Sequence, residues 1–106
     1  MEWLVPWYSV SDESAQAEVM ERELYRELAE GHPLHGFRVR TLGRRQDCDD
    51  VLFAVEDGSE RVAVVHLTWT YSPPDRLPWP VTTFYPGFEA WIVEGMRADH
   101  DEFQAQ

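Results

Sequence analysis

Cysteine is almost absent from this chain: Cys48 stands alone. No disulfide can form within the chain, and a lone thiol fits a reducing compartment better than a secreted one. Cys48 also lies in Gln46-Asp47-Cys48-Asp49-Asp50, where flanking carboxylates disfavour the thiolate and argue against a nucleophile. Lysine is missing altogether. The nine basic residues are all Arg, which reads as nucleotide-composition bias, and they face 20 acids for a net charge of −11. That charge excludes the cationic surface a duplex nucleic-acid binder needs and keeps anionic membranes away. No apolar run approaches the ~20 residues of a membrane span, and Met1–Trp7 has neither a basic stretch nor a long apolar core of a leader. A cytoplasmic location is the expectation. Also missing are a Gly-rich phosphate loop, C-x-x-C, G-x-S-x-G and H-E-x-x-H.

What is present is a strong β signal. In DVLFAVEDGSERVAVVHLTWT, Asp50 to Thr70, two β-rich runs flank Asp57-Gly58, a pair suited to the positive φ angles of tight hairpins. A two- or four-residue loop predicts one face carrying Val51, Phe53, Val55, Val62, Val64, His66 and Thr68. The other face then carries Leu52, Ala54, Glu56, Arg61, Ala63, Val65, Leu67 and Trp69. Both faces are apolar, so each needs a cover. If the helices pack together as one layer, the second cover is the Trp-rich N-terminus, the proline loop or another subunit.

The chain of 106 residues is one domain. Residues 1–10 read as an edge strand or extended strap, since Pro6 cannot donate to a ladder. Ser11 offers an N-cap, and Ala17, Met20, Leu24 and Leu28 form an apolar stripe for a helix over 12–30, stopped by Gly31 and Pro33. Glu18 and Arg22 are spaced for an ion pair. Phe37–Arg45 predicts a strand with Phe37, Val39 and Thr41 on one side and Arg38, Arg40 and Leu42 on the other. Residues 72–80 are a proline loop in which Trp79 is expected to pack on the sheet. Residues 81–85 suggest a short strand. A last helix from near Pro86 has Phe88, Trp91 and Ile92 on its apolar face, with Gly95 adding no bulk; Asp99–Glu102 is expected to fray unless Phe103 anchors it. The fold class expected is α+β: an N-terminal helix, a three- to four-stranded antiparallel meander and a C-terminal helix.

Three side-chain groups merit a functional reading. His32-Pro33-Leu34-His35 is an H-x-x-H that, with His66, His100 and Asp47, Asp49 and Asp50, supplies donor types for Zn²⁺ or Fe²⁺. The weak metal candidates are His32, His35, His66, Asp49 and Asp50. His32 and His35 lack the i, i+4 helical spacing of a zinc motif, and His32 reads equally as a partner of the helix C-terminus. His66, mid-strand among valines, is either a base or recognition group or a core histidine with a structural partner. The Arg row, Arg38, Arg40, Arg44 and Arg45, could hold an anion but is expected to pair with helix carboxylates or with Asp47–Asp50. Arg38, Arg40, Trp69 and Trp79 are the candidate anion or partner contacts. No catalytic constellation and no cofactor-binding residue is assigned.

His32-Pro33-Leu34, Asp49-Asp50-Val51-Leu52-Phe53, Val65-His66-Leu67-Thr68-Trp69 and Trp79-Pro80 together resemble a family of short uncharacterised bacterial proteins. The likeness spans roughly residues 24–92. It implies a small bacterial cytoplasmic domain and transfers no activity.

The leading functional expectation is protein binding, as an immunity-type or regulatory module for a basic partner. The alternatives are a metal-dependent enzyme built on the His/Asp cluster, and a structural homodimer subunit using the doubly apolar hairpin.

Overall fold

The computed structural model describes residues 2–70 and 79–105. Trp7–Ser9 forms β1, Ser14–Glu27 α1, Val39–Arg45 β2, Asp50–Val55 β3, Val62–His66 β4 and Thr82–Tyr85 β5. A helical run closes the described chain: α2 (Phe88–Trp91), a π-helical stretch (Ile92–Met96) and α3 (Arg97–Gln104). The α+β expectation holds, with five strands in place of three or four. They lie in the order β1-β2-β3-β4-β5, and every neighbouring pair is antiparallel. The extra strand is the N-terminal segment, which pairs Trp7 with Arg45 at one edge of the sheet.

The hairpin is where expected, but its faces are regrouped. Ala54 pairs with Val62, and the Val55 amide donates to the Arg61 carbonyl. The connection therefore runs over 56–60, an odd number of residues. Gly58 (φ 85°) and Glu60 (φ 65°) both take positive φ, and Asp57 Oδ1 accepts from the Ser59 amide. An odd loop reverses the parity of an even one, so Val51, Phe53 and Val55 share a face with Ala63, Val65 and Leu67. Leu52 and Val62 face the other way, with Val64 packed beside them.

Both faces are covered from within the chain. On one, α1 brings Met20, Leu24 and Leu28 of the expected stripe onto Val39, Val51, Phe53, Val55, Val65 and Leu67. On the other, Trp7, Leu52, Val62, Trp91 and Met96 form a second core, with Trp3, Phe88 and Tyr85 against it. The two helical regions thus lie on opposite faces, and the N-terminal tryptophans join the C-terminal run as the second cover. The wider π-helical turn puts the consecutive residues Gly95 and Met96 both on the buried side.

Local details depart from expectation for visible reasons. α1 is shorter than 12–30, and Ser11 does not cap it, because its hydroxyl bonds that of Ser9. Glu18 and Arg22 form no ion pair; the helix pair formed is Arg26 with Glu23. After Glu27 the chain turns through Ala29–Phe37, with positive φ at Gly31 and Gly36. In β2 a bulge at Leu42 lets Thr41 face Phe53 and Gly43 face Leu52. Gly43 is needed there: a Cβ would sit 2.5 Å from the Trp3 ring and 2.8 Å from the Tyr8 carbonyl oxygen. Asp99–Glu102 does not fray but lies inside α3, where Asp99 accepts from Trp7 Nε1 at 2.9 Å. Most of the proline loop, 72–78, lies outside the described residues.

Candidate partner-binding surface

The exit of α1 carries two buried polar side chains. Glu27 is 5% and His32 is 4% exposed. Each reaches across to backbone far away in sequence. Glu27 accepts from the Thr68 amide at 2.8 and 3.0 Å and from the Trp69 amide at 2.9 Å. These groups lie just beyond β4, where Trp69 has a φ of 54°. Such a left-handed turn leaves consecutive N–H groups without ladder partners, and a carboxylate satisfies them together.

His32 does the corresponding work just before β5. Its Nδ1 accepts from the Leu34 amide at 3.0 Å, which leaves Nε2 to donate to the Pro80 carbonyl at 2.9 Å. Thr82 Oγ1 bonds the same Pro80 carbonyl at 3.0 Å. One short stretch of chain, from Glu27 to His32, therefore fixes the backbone at Trp69 and at Pro80. The His66 amide donating to the Val81 carbonyl brings these two points to the same end of β4 and β5.

The tryptophans beside these anchors face outward. Trp69 is 37% and Trp79 is 47% exposed. For Trp79 this corrects the expectation of packing on the sheet. Its neighbour Pro80 takes the buried position, so the indole is turned away. Tyr25, on α1, is also exposed, although its hydroxyl accepts from the Val39 amide at 3.0 Å.

Charge is distributed unevenly around Glu27. Burial, and then the adjoining carboxyl of Glu23, push Glu27 above the ordinary carboxylate value, against the pull of the Thr68 and Trp69 donors. Burial acts on Glu23 in the same upward sense. Hydrogen bonds from Arg26 and Glu27, with the Arg26 charge, outweigh it and hold Glu23 below its ordinary value.

Of the proposed metal ligands, His66 and Asp50 are brought together as a pair, and the others lie apart from them. His32 has both ring nitrogens engaged, His35 is exposed, and His66 Nδ1 meets Asp50 Oδ1 at 2.7 Å. His66 is exposed and paired, not buried mid-sheet as its valine neighbours suggest, because it closes β4 at the sheet end. Among the described residues no group of three or more His, Cys, Asp or Glu side chains is placed to hold a metal ion. Asp50 belongs to an ionic chain instead. Arg45 bonds Asp47 at 2.8 Å and approaches Asp99 at 3.5 Å and Asp50 at 3.9 Å. Asp49 is exposed and contributes its carbonyl to the Leu67 amide. The Cys48 thiol is pushed up by burial first, with the Asp50 and Asp47 charges adding to it.

The Arg row divides. Arg45 takes the expected aspartates, and Arg44 reaches Gln16 at 3.5 Å. Arg38 and Arg40 are exposed and have no ion-pair partner among the described residues. Arg40 instead lines an open groove of ≈ 470 Å³ together with Leu42, Ala54, Glu56, Val62 and Phe88.

Sequence reasoning missed Glu23 and Glu27. Their spacing did hold a signal: they follow Met20 by three and seven residues and so lie on the buried stripe. Comparison with known proteins returns no match to a family model, to a curated protein or to a solved structure.

Proposed function

We propose that this chain is a protein-binding module, of the immunity or regulatory kind, that engages a cationic protein through the end bearing Trp69 and Trp79. The observation that carries this reading is the pairing of outward-facing indoles with backbone fixed by buried side chains. Large aromatics on preorganised backbone are the residues that dominate protein interfaces, since little conformational freedom is lost on docking. The net charge of −11 gives the partner its sign, and long-range attraction would speed encounter. The catalytic alternative would rest on the His66–Asp50 pair. The homodimer reading loses its original motive, because both apolar sheet faces are covered within one chain.

The test is capture and identification of a partner by chemical cross-linking in a lysate of the source cells, using the wild type and a Trp69→Ala, Trp79→Ala double variant of confirmed fold. The expected result is a basic protein held by the wild type, lost in the double variant and weakened as salt is raised. Equal capture by both proteins, or indifference to salt, overturns the proposal.

A further inference from the structure

One edge of the sheet carries backbone groups that nothing described satisfies. β5 stands last in the strand order and pairs only with β4 among the described residues. The His66 amide donates to the Val81 carbonyl, so His66–Val81, Val64–Thr83 and Val62–Tyr85 are the hydrogen-bonded pairs of this antiparallel ladder. The N–H and C=O groups of Thr82 and Phe84 therefore point outward. No hydrogen bond from a described residue reaches them; the Thr82 bonds are made by its hydroxyl.

An open edge is ordinarily guarded by a charge, a proline or a bulge within the strand. Val81–Tyr85, VTTFY, holds no charge and no proline, and its pairing with β4 runs without a bulge. Pro80 and Pro86 stand only at its ends and mark out the free length.

The two sides of this edge differ in charge. Phe84 packs toward α1, with the Arg61 guanidinium over its ring at 4.7 Å. Tyr85 packs toward the C-terminal run, where its hydroxyl lies 3.2 Å from the point a Cβ on Gly95 would take. Glu94 adjoins Gly95, exposed and without an ion-pair partner among the described residues. Burial, then the charges of Asp99, Glu94 and Asp50, push the Tyr85 hydroxyl above its ordinary value. A cation is thus favoured beside Tyr85 and disfavoured beside Phe84.

We propose that β5 receives an extended segment of the cationic partner as a sixth strand, with basic side chains on the Tyr85 side and apolar ones on the Phe84 side. This rests on the binding function proposed above and specifies how the partner docks. Main-chain bonds to Thr82 and Phe84 supply the attachment, and the alternation of charge across the edge selects the segment. Val81 is 44% exposed, and with Trp79 it lies directly before β5, so the added strand runs on to the tryptophan surface. A second copy of β5 fits the same register, Thr82 facing Phe84, but joins two chains that each carry a net charge of −11.

The experiment is amide hydrogen exchange of the full chain followed by NMR, with a capped octapeptide of alternating valine and arginine as the probe. The peptide is expected to slow exchange at Thr82 and Phe84 and to leave Thr83 and Tyr85, already bonded to β4, unchanged. Its fully N-methylated form, which cannot donate, and a peptide of alternating valine and glutamate are expected to give no such protection. Added salt is expected to weaken it. Failure of the arginine peptide to protect Thr82 and Phe84, or protection that does not alternate, overturns the added strand. Protection that appears without peptide as the protein is concentrated assigns the edge to a second copy and overturns the proposed occupant. The capture experiment above separates the two proposals. Salt-sensitive capture that needs Trp69 and Trp79, with no protection by the peptide, keeps the tryptophan surface and removes the strand. Alternating protection with capture indifferent to those tryptophans does the reverse.

Discussion

The two faces of the sheet are closed by different means. Under α1 the core is mostly aliphatic, with Phe53 at its centre, and the helix is also tied by side chains that bond backbone: Glu21 to the Thr41 amide at 2.9 Å, Tyr25 to Val39, Glu27 to Thr68 and Trp69. Under the C-terminal run the core is rich in tryptophan and is closed chiefly by the fit of rings, with hydrogen bonds from Trp7 and His100 at its margin. Trp7 meets Trp91 edge-on at 5.1 Å, Trp3 lies 5.6 Å from Trp91, and Gly43 and Gly95 leave room for rings. The bonded face can tolerate moderate changes of volume because polar ties fix its helix. The aromatic face depends on a few large surfaces fitting together, so each matters more.

Breaking that contrast most severely is Trp91→Ala, with an expected loss of about 3–5 kcal/mol by transfer and cavity terms. Leu24→Ala on the bonded face is expected to fall toward the lower part of a ~2–5 kcal/mol range. Denaturant midpoints of the two variants compare the faces directly; an equal or reversed order defeats the distinction. Gly95→Ala comes next. Its Cβ would meet Trp91 at 2.7 Å and the Tyr85 hydroxyl at 3.2 Å, and overpacking of this sort costs roughly 1–3 kcal/mol. Helix propensity alone would make the same change stabilising by about 1 kcal/mol, so the sign of the measured shift decides which effect wins.

Thr41→Val sharpens the other side. The hydroxyl lies 2.9 Å from Glu21 and 3.1 Å from the Ala17 carbonyl, and its removal is expected to cost about 1–2 kcal/mol in chemical denaturation. Val64→Ala, at a half-buried position against the aromatic core, is expected to cost about 1 kcal/mol. A change under about half that would place Val64 outside the packed face.

Acid acts on two carboxylates with opposite sign. Glu27 has a folded value raised by burial and Glu23, so its contribution to stability is full below the unfolded carboxylate range and is lost as pH rises through the folded value. Asp47 is held below its ordinary value chiefly by its hydrogen bond to Arg45. Its contribution is present above the unfolded range and is lost as pH falls through the folded value. Stability profiles of Glu27→Gln and Asp47→Asn are expected to differ from wild type in opposite senses across the acid limb. Parallel profiles would show that the two carboxylates are not distinguished by their surroundings.

Much of the architecture was legible. Met20, Leu24 and Leu28 announce α1, the β-branched runs around Asp57-Gly58 announce the central hairpin, and the doubly apolar pattern calls for two covers. What failed was parity. Asp-Gly marks where a turn is, but nothing marks Glu60 for positive φ, a conformation few glutamates adopt, and that residue makes the loop odd. In β2 a signal existed in Gly43, since glycine inside a strand suggests a bulge. The candidate surface was half legible. Trp69 and Trp79 stand out as aromatics near turns, while their fastenings depend on backbone amides and a carbonyl that carry no residue-specific signature.

The N-terminal segment and the last helix are stitched to one another. Trp7 donates to Asp99 at 2.9 Å, and His100 Nδ1 donates to the Val5 carbonyl at 2.6 Å. During synthesis the first of these residues leaves the ribosome long before the second. The aliphatic half can assemble while translation continues, since α1 and β2 to β4 precede the last helix. The aromatic half must wait, leaving Trp3 and Trp7 bare on the nascent chain until the final turns emerge. Translation that pauses late would therefore expose these indoles to chaperones.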